Sequence, residues 1–362
     1  MSEHAAGWSR RALLDASWRF GLGSAAAALG GGGRAAGAAV SRPIDALRVR
    51  GNGLSYNGQR VRLRGVAISD PLLARKYRPA SDFALLASDA WRCNVVRISV
   101  LPSTWQNRQA ETMALLERDV TAALANGLFV IIDWHAIGWP DGYFERPLPG
   151  WGMPEDAYHS GWSLAASFWQ AMAERWGADG RIAFELWNEP IHTAAEYGLP
   201  AGTRWRELKP AYQALLAIIR ARSRNVVIAA GDRYAHDLRG IRQDPLAGEN
   251  IAYSWHVYAG ADGKEPMPLA EKLDELDRVH PVVVTEWGFA AGSKNLLRLG
   301  KTHDQFAREF MRDFLNQRRL SWTAWCWHPH ASPMLLEKDW RTPTAYGRFV
   351  QTHLRYEDSV RT

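Results

Sequence analysis

Eight short runs of apolar, largely β-branched residues recur along the chain, and each predicts a buried β-strand. Most apolar positions within a run are consecutive, which is typical of strands in a parallel sheet that is covered on both faces. The runs are Val61–Ile68, Asn94–Val100, Phe129–Ala136, Ile182–Pro190, Asn225–Asp232, Ile251–Tyr258, Pro281–Phe289 and Ser321–Pro329.

Amphipathic stretches separate these runs and predict helices, for example Thr112–Asn126, Trp205–Arg222, Leu269–Val279 and His303–Arg319. Eight alternating strand and helix units fit one α/β domain, a (β/α)8 TIM barrel, which typically takes ~250 residues or more. A doubly wound open sheet is the alternative, but it would need a glycine-rich phosphate turn after an early strand. The sequence contains no such turn.

The segment before the first run predicts two further features. Residues 49–59 predict a small hairpin that turns at Asn57-Gly58. Residues 1–39 carry Arg10-Arg11, a weakly apolar Ala/Gly-rich stretch and small residues at 36–39, so they resemble a twin-arginine export leader. A disordered tail is the alternative for residues 1–39, and residues 40–362 form the predicted catalytic domain.

The composition argues against nucleic-acid-binding, metal-cluster and membrane-spanning proteins. The net charge of +6 comes mostly from scattered arginines, which does not favour a nucleic-acid surface, since such surfaces cluster their charge. Cys93 and Cys326 are too few for a metal cluster, and no run reaches the ~20 apolar residues of a membrane span. We therefore expect no cofactor, metal, nucleic acid or membrane partner, and a monomer. The 18 tryptophans suit both a core and a groove that stacks sugar rings.

Polar side chains gather at the ends of the predicted strands, where barrel enzymes carry their active sites. Two of them are glutamates, Glu189 and Glu286, each preceded by an apolar run. A carboxyl pair at one barrel mouth is the arrangement that glycosidic bond cleavage uses. The other members of the set are Arg97, Asp133, His135, Asn188, His256, Tyr258 and Trp325.

The order of these residues resembles glycoside hydrolase family 5, the cellulase family among the retaining (β/α)8 glycosidases. The resemblance covers about residues 47 to 350 and implies that Glu189 is the acid/base and Glu286 the nucleophile. It also implies supporting and sugar-binding roles for six further residues. Arg97 and Tyr258 would stabilise the Glu286 carboxylate, His256 would tune Glu189, and Asn188, His135 and Trp325 would contact the reacting sugar.

Several of these residues have structural interpretations as well. Arg97 alone could form a buried ion pair, and His135 and His256 could be hydrogen-bonded core histidines. We interpret Glu185 as a carboxylate inside the barrel that pairs with a cation, and Asp133 is ambiguous. Trp327 belongs either to the core or to the same platform as Trp325. The aromatic loops 139–153 and 191–205 are expected to wall an open groove.

The sequence thus favours an exported retaining β-glycosidase, an endo-β-1,4-glucanase that binds β-glucan. Three other hypotheses stay open. The first is a β-mannanase, another β-glycan hydrolase or a transglycosylase with the same chemistry. The second is a non-catalytic glycan-binding barrel. The third is a metal-dependent hydrolase that uses His135, His256 and Glu286, although no compact ligand motif supports it.

Overall fold

The computed structural model describes residues 46–143, 156–192, 202–260, 267–297 and 300–356. Eight parallel strands close into a barrel in chain order, which confirms the predicted (β/α)8 fold. The strands are β1 (Arg48–Arg50), β2 (Gly53–Tyr56), β3 (Gln59–Val61), β4 (Arg64–Ile68), β5 (Val95–Val100), β6 (Phe129–Trp134), β7 (Ile137–Gly138), β8 (Ile182–Glu185), β9 (Glu189–Pro190), β10 (Val227–Ala230), β11 (Ile251–Tyr258), β12 (Val282–Gly288) and β13 (Ser321–Ala324). The barrel uses β4, β5, β6, β8 and β10 to β13.

Helices follow the barrel strands, with two differences from the sequence prediction. The predicted helix 269–279 breaks at Asp274 and Glu275, whose φ angles are 50° and 54°. The predicted helix 303–319 changes to a π-helix at Met311–Asn316. The α-helices are Pro71–Ala74, Ser81–Ala87, Pro102–Ala125, Trp162–Trp176, Thr203–Arg220, Asp232–Ala235, Leu269–Leu273, His303–Phe310 and Ala345–Tyr356, and Leu276–Arg278 is a 3₁₀ turn.

The N-terminal segment forms a three-stranded antiparallel sheet, one strand more than the predicted hairpin. Asn57 and Gly58 turn the chain with φ angles of 51° and 76°, as a two-residue hairpin turn requires. Apolar residues of this segment, such as Leu54, belong to one buried cluster with Val95 and Ile131 from the first halves of their barrel strands. The small sheet therefore covers the end of the barrel opposite the predicted active site.

The barrel interior changes from apolar to polar along the strands. Its lower layer is apolar and includes Val95, Ile131, Ala183, Ala252 and Val283. Inward positions recur every second residue, so the next layer up lies two residues farther along each strand. That layer is polar and buried, and it consists of Arg97, Asp133, Glu185, Ser254 and Thr285.

A β-bulge brings Glu286 into the same interior. Between β11 and β12 the register steps from Ser254↔Val283 to His256↔Glu286, so β12 carries one extra residue. Simple alternation would turn Glu286 outward, because Val283 and Thr285 already point inward. Bulges next to active sites re-aim side chains in this way. The carboxyl of Glu286 consequently reaches Arg97 inside the barrel.

Most described tryptophans belong to the core between the barrel and its helices. Trp327 is fully buried, packs edge-on against Trp91 and donates to Asp82, so the core interpretation of Trp327 is correct. Cys93 and Cys326 are buried free thiols. The tryptophans that are essentially inaccessible to solvent are Trp91, Trp105, Trp134, Trp169, Trp187, Trp205, Trp255, Trp287, Trp322 and Trp327.

Three of the sequence expectations fall wholly or partly outside the described residues. The leader or tail at 1–39 lies entirely outside them, as do residues 144–155 and 193–201 of the two aromatic loops. Among the described residues, no helix combines the length and the apolar character that crossing a membrane requires.

Candidate active site

Arg97, on β5, is the cation at the centre of the site. Its side chain is fully buried, and its Nε donates to Oε2 of Glu185 at 2.6 Å. The two terminal nitrogens donate to Oε1 of Glu286 at 2.7 Å and to Oδ1 of Asn188 at 2.8 Å. The guanidinium also lies 3.0 Å from the carboxylate of Asp133. The planar guanidinium of Arg97 thus holds four other side chains in place. The predicted pairing of Glu185 with a cation is present.

Asp133, at the end of β6, orients His135. Its Oδ2 lies 2.7 Å from Nδ1 of His135, and the His135 ring stacks on Trp325 with centroids 5.1 Å apart and planes at 11°. Burial lowers the pKa of His135 to about 4, so the ring is neutral at neutral pH. Trp325 is only partly buried. The pair therefore presents one imidazole edge and one broad indole face at the barrel mouth.

Glu189 lies above the barrel, on a short extension of it. The predicted continuous strand 182–190 is interrupted after Glu185 and resumes as β9, which pairs with β7. The backbone amides of Asn188 and Glu189 donate to the carbonyls of Trp134 and Ala136 at 3.0 Å each, which fixes this rim segment. The Glu189 side chain retains 14% exposure, so it borders the open mouth.

Glu286 is more deeply buried than Glu189, with 4% of its side chain exposed. Besides the Arg97 contact, its Oε2 accepts a hydrogen bond of 2.5 Å from the hydroxyl of Tyr258. Burial raises the pKa of Glu286, while Arg97 and the Tyr258 hydrogen bond oppose the rise. Those contacts favour the ionised form of this carboxyl.

Glu189 has the opposite electrostatic environment. Burial raises its pKa well above the ordinary value, and the negative charge of Glu286 raises it further. Its Oε1 lies 3.0 Å from Nδ1 of His256. Burial also lowers the pKa of His256 well below its usual range, so the ring brings no positive charge to Glu189. Two neighbouring carboxyls thus differ in proton affinity, which is the usual signature of an acid and a nucleophile.

All eight predicted site residues meet at this mouth: Arg97, His135, Asn188, Glu189, His256, Tyr258, Glu286 and Trp325. Sequence reasoning missed Thr285 and Ser254, which form the buried polar layer beneath His256. The signal was available, since both are isolated polar residues at inward positions of apolar runs.

The described parts of the two aromatic loops are only partly exposed. Trp139 is buried, and Tyr143 stacks on His192 with centroids 4.7 Å apart. Trp205, at the end of the second loop, is buried and donates to the carbonyl of Asp244, so it belongs to the core. The expected groove wall therefore stays a prediction for residues 144–153 and 193–201.

A metal site would have to share the same carboxyls. Among the described residues, Glu189, His256 and Glu286 offer ligand atoms within 4.8 Å of one another. This group does not include His135, which is hydrogen-bonded to Asp133. Both oxygens of Glu286 already accept hydrogen bonds from Arg97 and Tyr258. Because a divalent cation there would face a buried guanidinium, charge repulsion disfavours metal binding.

A model of one protein family matches most of the chain. It is described as Cellulase (glycosyl hydrolase family 5) and matches residues 54–331. An endoglucanase of Clostridium saccharobutylicum is 26% identical over 77% of this chain and 56% of its own length. Endoglucanase Z of Dickeya dadantii is 27% identical over 66% of this chain and 49% of its own length. The chain thus spans about half the length of these curated relatives.

Solved structures share the barrel. A β-glucanase from Saccharophagus degradans, also crystallised with cellotetraose, is 24% identical with a TM-score of 0.73, covering 86% of this chain and 94% of the other. The catalytic domain of a Thermobifida fusca endoglucanase is 21% identical with a TM-score of 0.66, covering 85% and 97%. At these identities the likeness shows the fold.

Proposed function

The chain belongs to glycosyl hydrolase family 5, the cellulase family, and we propose that it is a retaining β-glycosidase that cleaves within β-1,4-glucan chains. Family membership makes it a glycoside hydrolase. One observation supports the retaining mechanism above all others: carboxyl oxygens of Glu189 and Glu286 lie within 4.8 Å of each other. Retaining enzymes hold their carboxyls ~5–5.5 Å apart, and inverting enzymes ~6.5–9.5 Å.

In the first step, Glu189 protonates the leaving glycosidic oxygen while Glu286 attacks the anomeric carbon. Because the pKa of Glu189 is raised, its side chain holds the proton that it transfers, and Arg97 keeps Glu286 ionised for attack. Forming the ester at Glu286 removes its charge, so the pKa of Glu189 falls. Glu189 can then take a proton from water as that water attacks the glycosyl-enzyme.

The remaining side chains bind the sugar at the cleavage point. Arg97 donates to Oδ1 of Asn188, which leaves the Asn188 amide nitrogen as a donor for the 2-hydroxyl. That contact strengthens as the transition state forms. Asp133 orients His135 toward neighbouring hydroxyls, and Trp325 supplies a flat apolar floor under the ring.

The choice of β-1,4-glucan is supported by the endoglucanase relatives and by the cellotetraose complexes of the two solved neighbours. Initial rates on carboxymethylcellulose, lichenan, mannan and xylan test it, with Glu189→Gln as the inactive control. We expect the highest rate on carboxymethylcellulose, with oligosaccharide products released as β-anomers. A preference for mannan would identify the alternative specificity. Binding without hydrolysis by the unmodified protein would leave only the non-catalytic hypothesis.

We also propose export through residues 1–39, on the basis of Arg10-Arg11 and the small residues that follow the weakly apolar stretch. Glycan polymers do not cross membranes, so an enzyme that cleaves them must reach them outside the cytoplasm. A fusion of residues 1–39 to a reporter should be exported, and Lys in place of Arg10 and Arg11 should abolish that export. Equal export of both fusions would exclude the twin-arginine route.

A further inference from the structure

A continuous chain of buried hydrogen-bonding groups joins the two carboxyls beneath the mouth of the barrel. It passes below the surface and contains Thr285, which the proposed reaction does not use. Thr285 is fully buried at an inward position of β12, directly before Glu286. The chain runs from Glu189 through His256, Thr285, Glu185 and Arg97 to Glu286.

The hydroxyl of Thr285 has three polar neighbours and only one proton to donate. Its Oγ1 lies 2.7 Å from Oε1 of Glu185 and 3.1 Å from Nε2 of His256, and it contacts the hydroxyl of Ser254. Burial raises the pKa of Glu185, but Arg97 favours its carboxylate form, and a carboxylate can only accept. The Thr285 proton therefore goes to Glu185, and the hydroxyl accepts from the other two neighbours.

This assignment determines where His256 carries its proton. A neutral imidazole has one N–H and one acceptor nitrogen. Because Thr285 accepts, the proton of His256 is on Nε2, and Nδ1 presents a lone pair to Glu189. An ionised Glu189 would face that lone pair at 3.0 Å, whereas a protonated Glu189 can donate to it.

We propose that Thr285 is a positioning residue that fixes the tautomer of His256 and thereby keeps the proton on Glu189 in the free enzyme. The proposal rests on the proposed role of Glu189 as the acid. In this proposal the Arg97–Glu185 pair also acts on the carboxyl of Glu189, through Thr285 and His256. Thr285 touches no substrate and acts only through His256.

Other charged and titratable groups also act on this pair. Glu189 experiences Glu286, Arg97, Asp133, Glu185, Tyr158 and Tyr258, and His256 experiences Arg97, His236 and His135. None of them is removed by a substitution at Thr285. Thr285 also donates to Glu185, so a change in Glu189 titration after such a substitution is assigned to the His256 tautomer together with the ¹⁵N shifts of His256 in the same variant.

The test is Thr285→Val, which keeps the side-chain shape and removes the hydroxyl. His256 is then free to carry its proton on Nδ1 and to donate it to an ionised Glu189. That donation favours the carboxylate, so the pKa of Glu189 falls by about one to two pH units. The alkaline limb of the kcat/KM profile moves to lower pH by the same amount.

Two variants provide controls. Thr285→Ser retains the hydroxyl and should keep the wild-type alkaline limb. Thr323→Val removes a buried hydroxyl on the neighbouring strand, one that donates to the backbone carbonyl of Thr285. It should also keep the wild-type limb. An equal shift in Thr323→Val would show a general packing effect and overturn the proposal.

Nuclear magnetic resonance gives a readout that requires neither activity nor a variant. In the wild-type protein, ¹⁵N shifts of His256 should show protonation at Nε2, and ¹³C titration of labelled glutamates follows Glu189 directly. A wild-type Nδ1–H tautomer would overturn the proposal, as would an unchanged Glu189 titration in folded Thr285→Val. Since neither measurement uses substrate, a wrong assignment of the reaction would be detected separately, by the substrate panel.

Discussion

Arg97→Met is the substitution whose consequences follow most directly from the geometry. It removes the cation that contacts Glu185 at 2.6 Å, Glu286 at 2.7 Å and Asp133 at 3.0 Å. These buried carboxyls then lose their ion pair with Arg97. Removing one partner of a buried ion pair costs about 3–5 kcal/mol of folding free energy. For a chain of 362 residues, with an unfolding entropy of ~2.1 cal/mol/K per residue, that lowers Tm by roughly 4–7 °C.

The same substitution changes the titration of the nucleophile. Arg97 lowers the pKa of Glu286 against the effect of burial, so its loss raises that pKa. The acidic limb of the kcat/KM profile should then move to higher pH. The loss of stability should be smaller at pH 5 than at pH 8, because the carboxyls left behind are protonated more completely at the lower pH.

Denaturant unfolding at the two pH values and a pH–rate profile measure these effects. Arg78→Met is a control, because Arg78 is also fully buried and pairs with a carboxylate, Asp119, that has no assigned role in the proposed reaction. It should cost less stability, because Asp119 keeps its ion pair with Arg118, and it should leave the acidic limb in place. An Arg97→Met protein with wild-type stability, or with an unmoved acidic limb, would refute the assignment of Arg97 as the charge that keeps Glu286 ionised.

Three further outcomes are expected. Glu189→Gln should lose at least 100-fold in kcat on cellulosic substrates but far less on aryl glycosides with good leaving groups, since general-acid catalysis contributes about 10²–10⁴-fold; equal losses on both would contradict the acid role. Trp325→Ala should lower kcat/KM for oligosaccharides with the pH profile unchanged, and an altered profile would contradict a role limited to stacking on the sugar. Full activity should survive dialysis against EDTA, and loss that Zn²⁺ or Mn²⁺ restores would favour the metal-dependent hypothesis.

Much of the fold was predictable because parallel strands buried on both faces produce continuous apolar runs. The boundaries were less predictable. The fourth run continues through Leu186 and Trp187, yet the strand ends at Glu185 and pairing resumes at the rim in β9. Similarly, the amphipathic pattern at 303–319 predicts a helix but not its change to a π-helix at Met311.

The candidate site was predictable where a polar residue ends an apolar run, as Glu189 and His256 do. Glu286 was found in the same way, at the end of an apolar run, although its inward direction depends on a bulge that alternation does not predict. Trp325 lies at the mouth of the barrel and Trp327 in the core for a related reason. The eighth strand ends at Ala324, so the two-residue spacing no longer places both rings on one face.

The central claim is that Glu286 forms a covalent bond to the sugar with Glu189 as its acid. Glu286→Ala, assayed on an aryl β-cellobioside with and without azide, tests this claim most directly. We predict negligible turnover alone, and azide rescue that yields the α-glycosyl azide, because the small anion attacks from the position that the lost carboxylate occupied. Undiminished turnover without azide, or a β-glycosyl azide as the product, would contradict it.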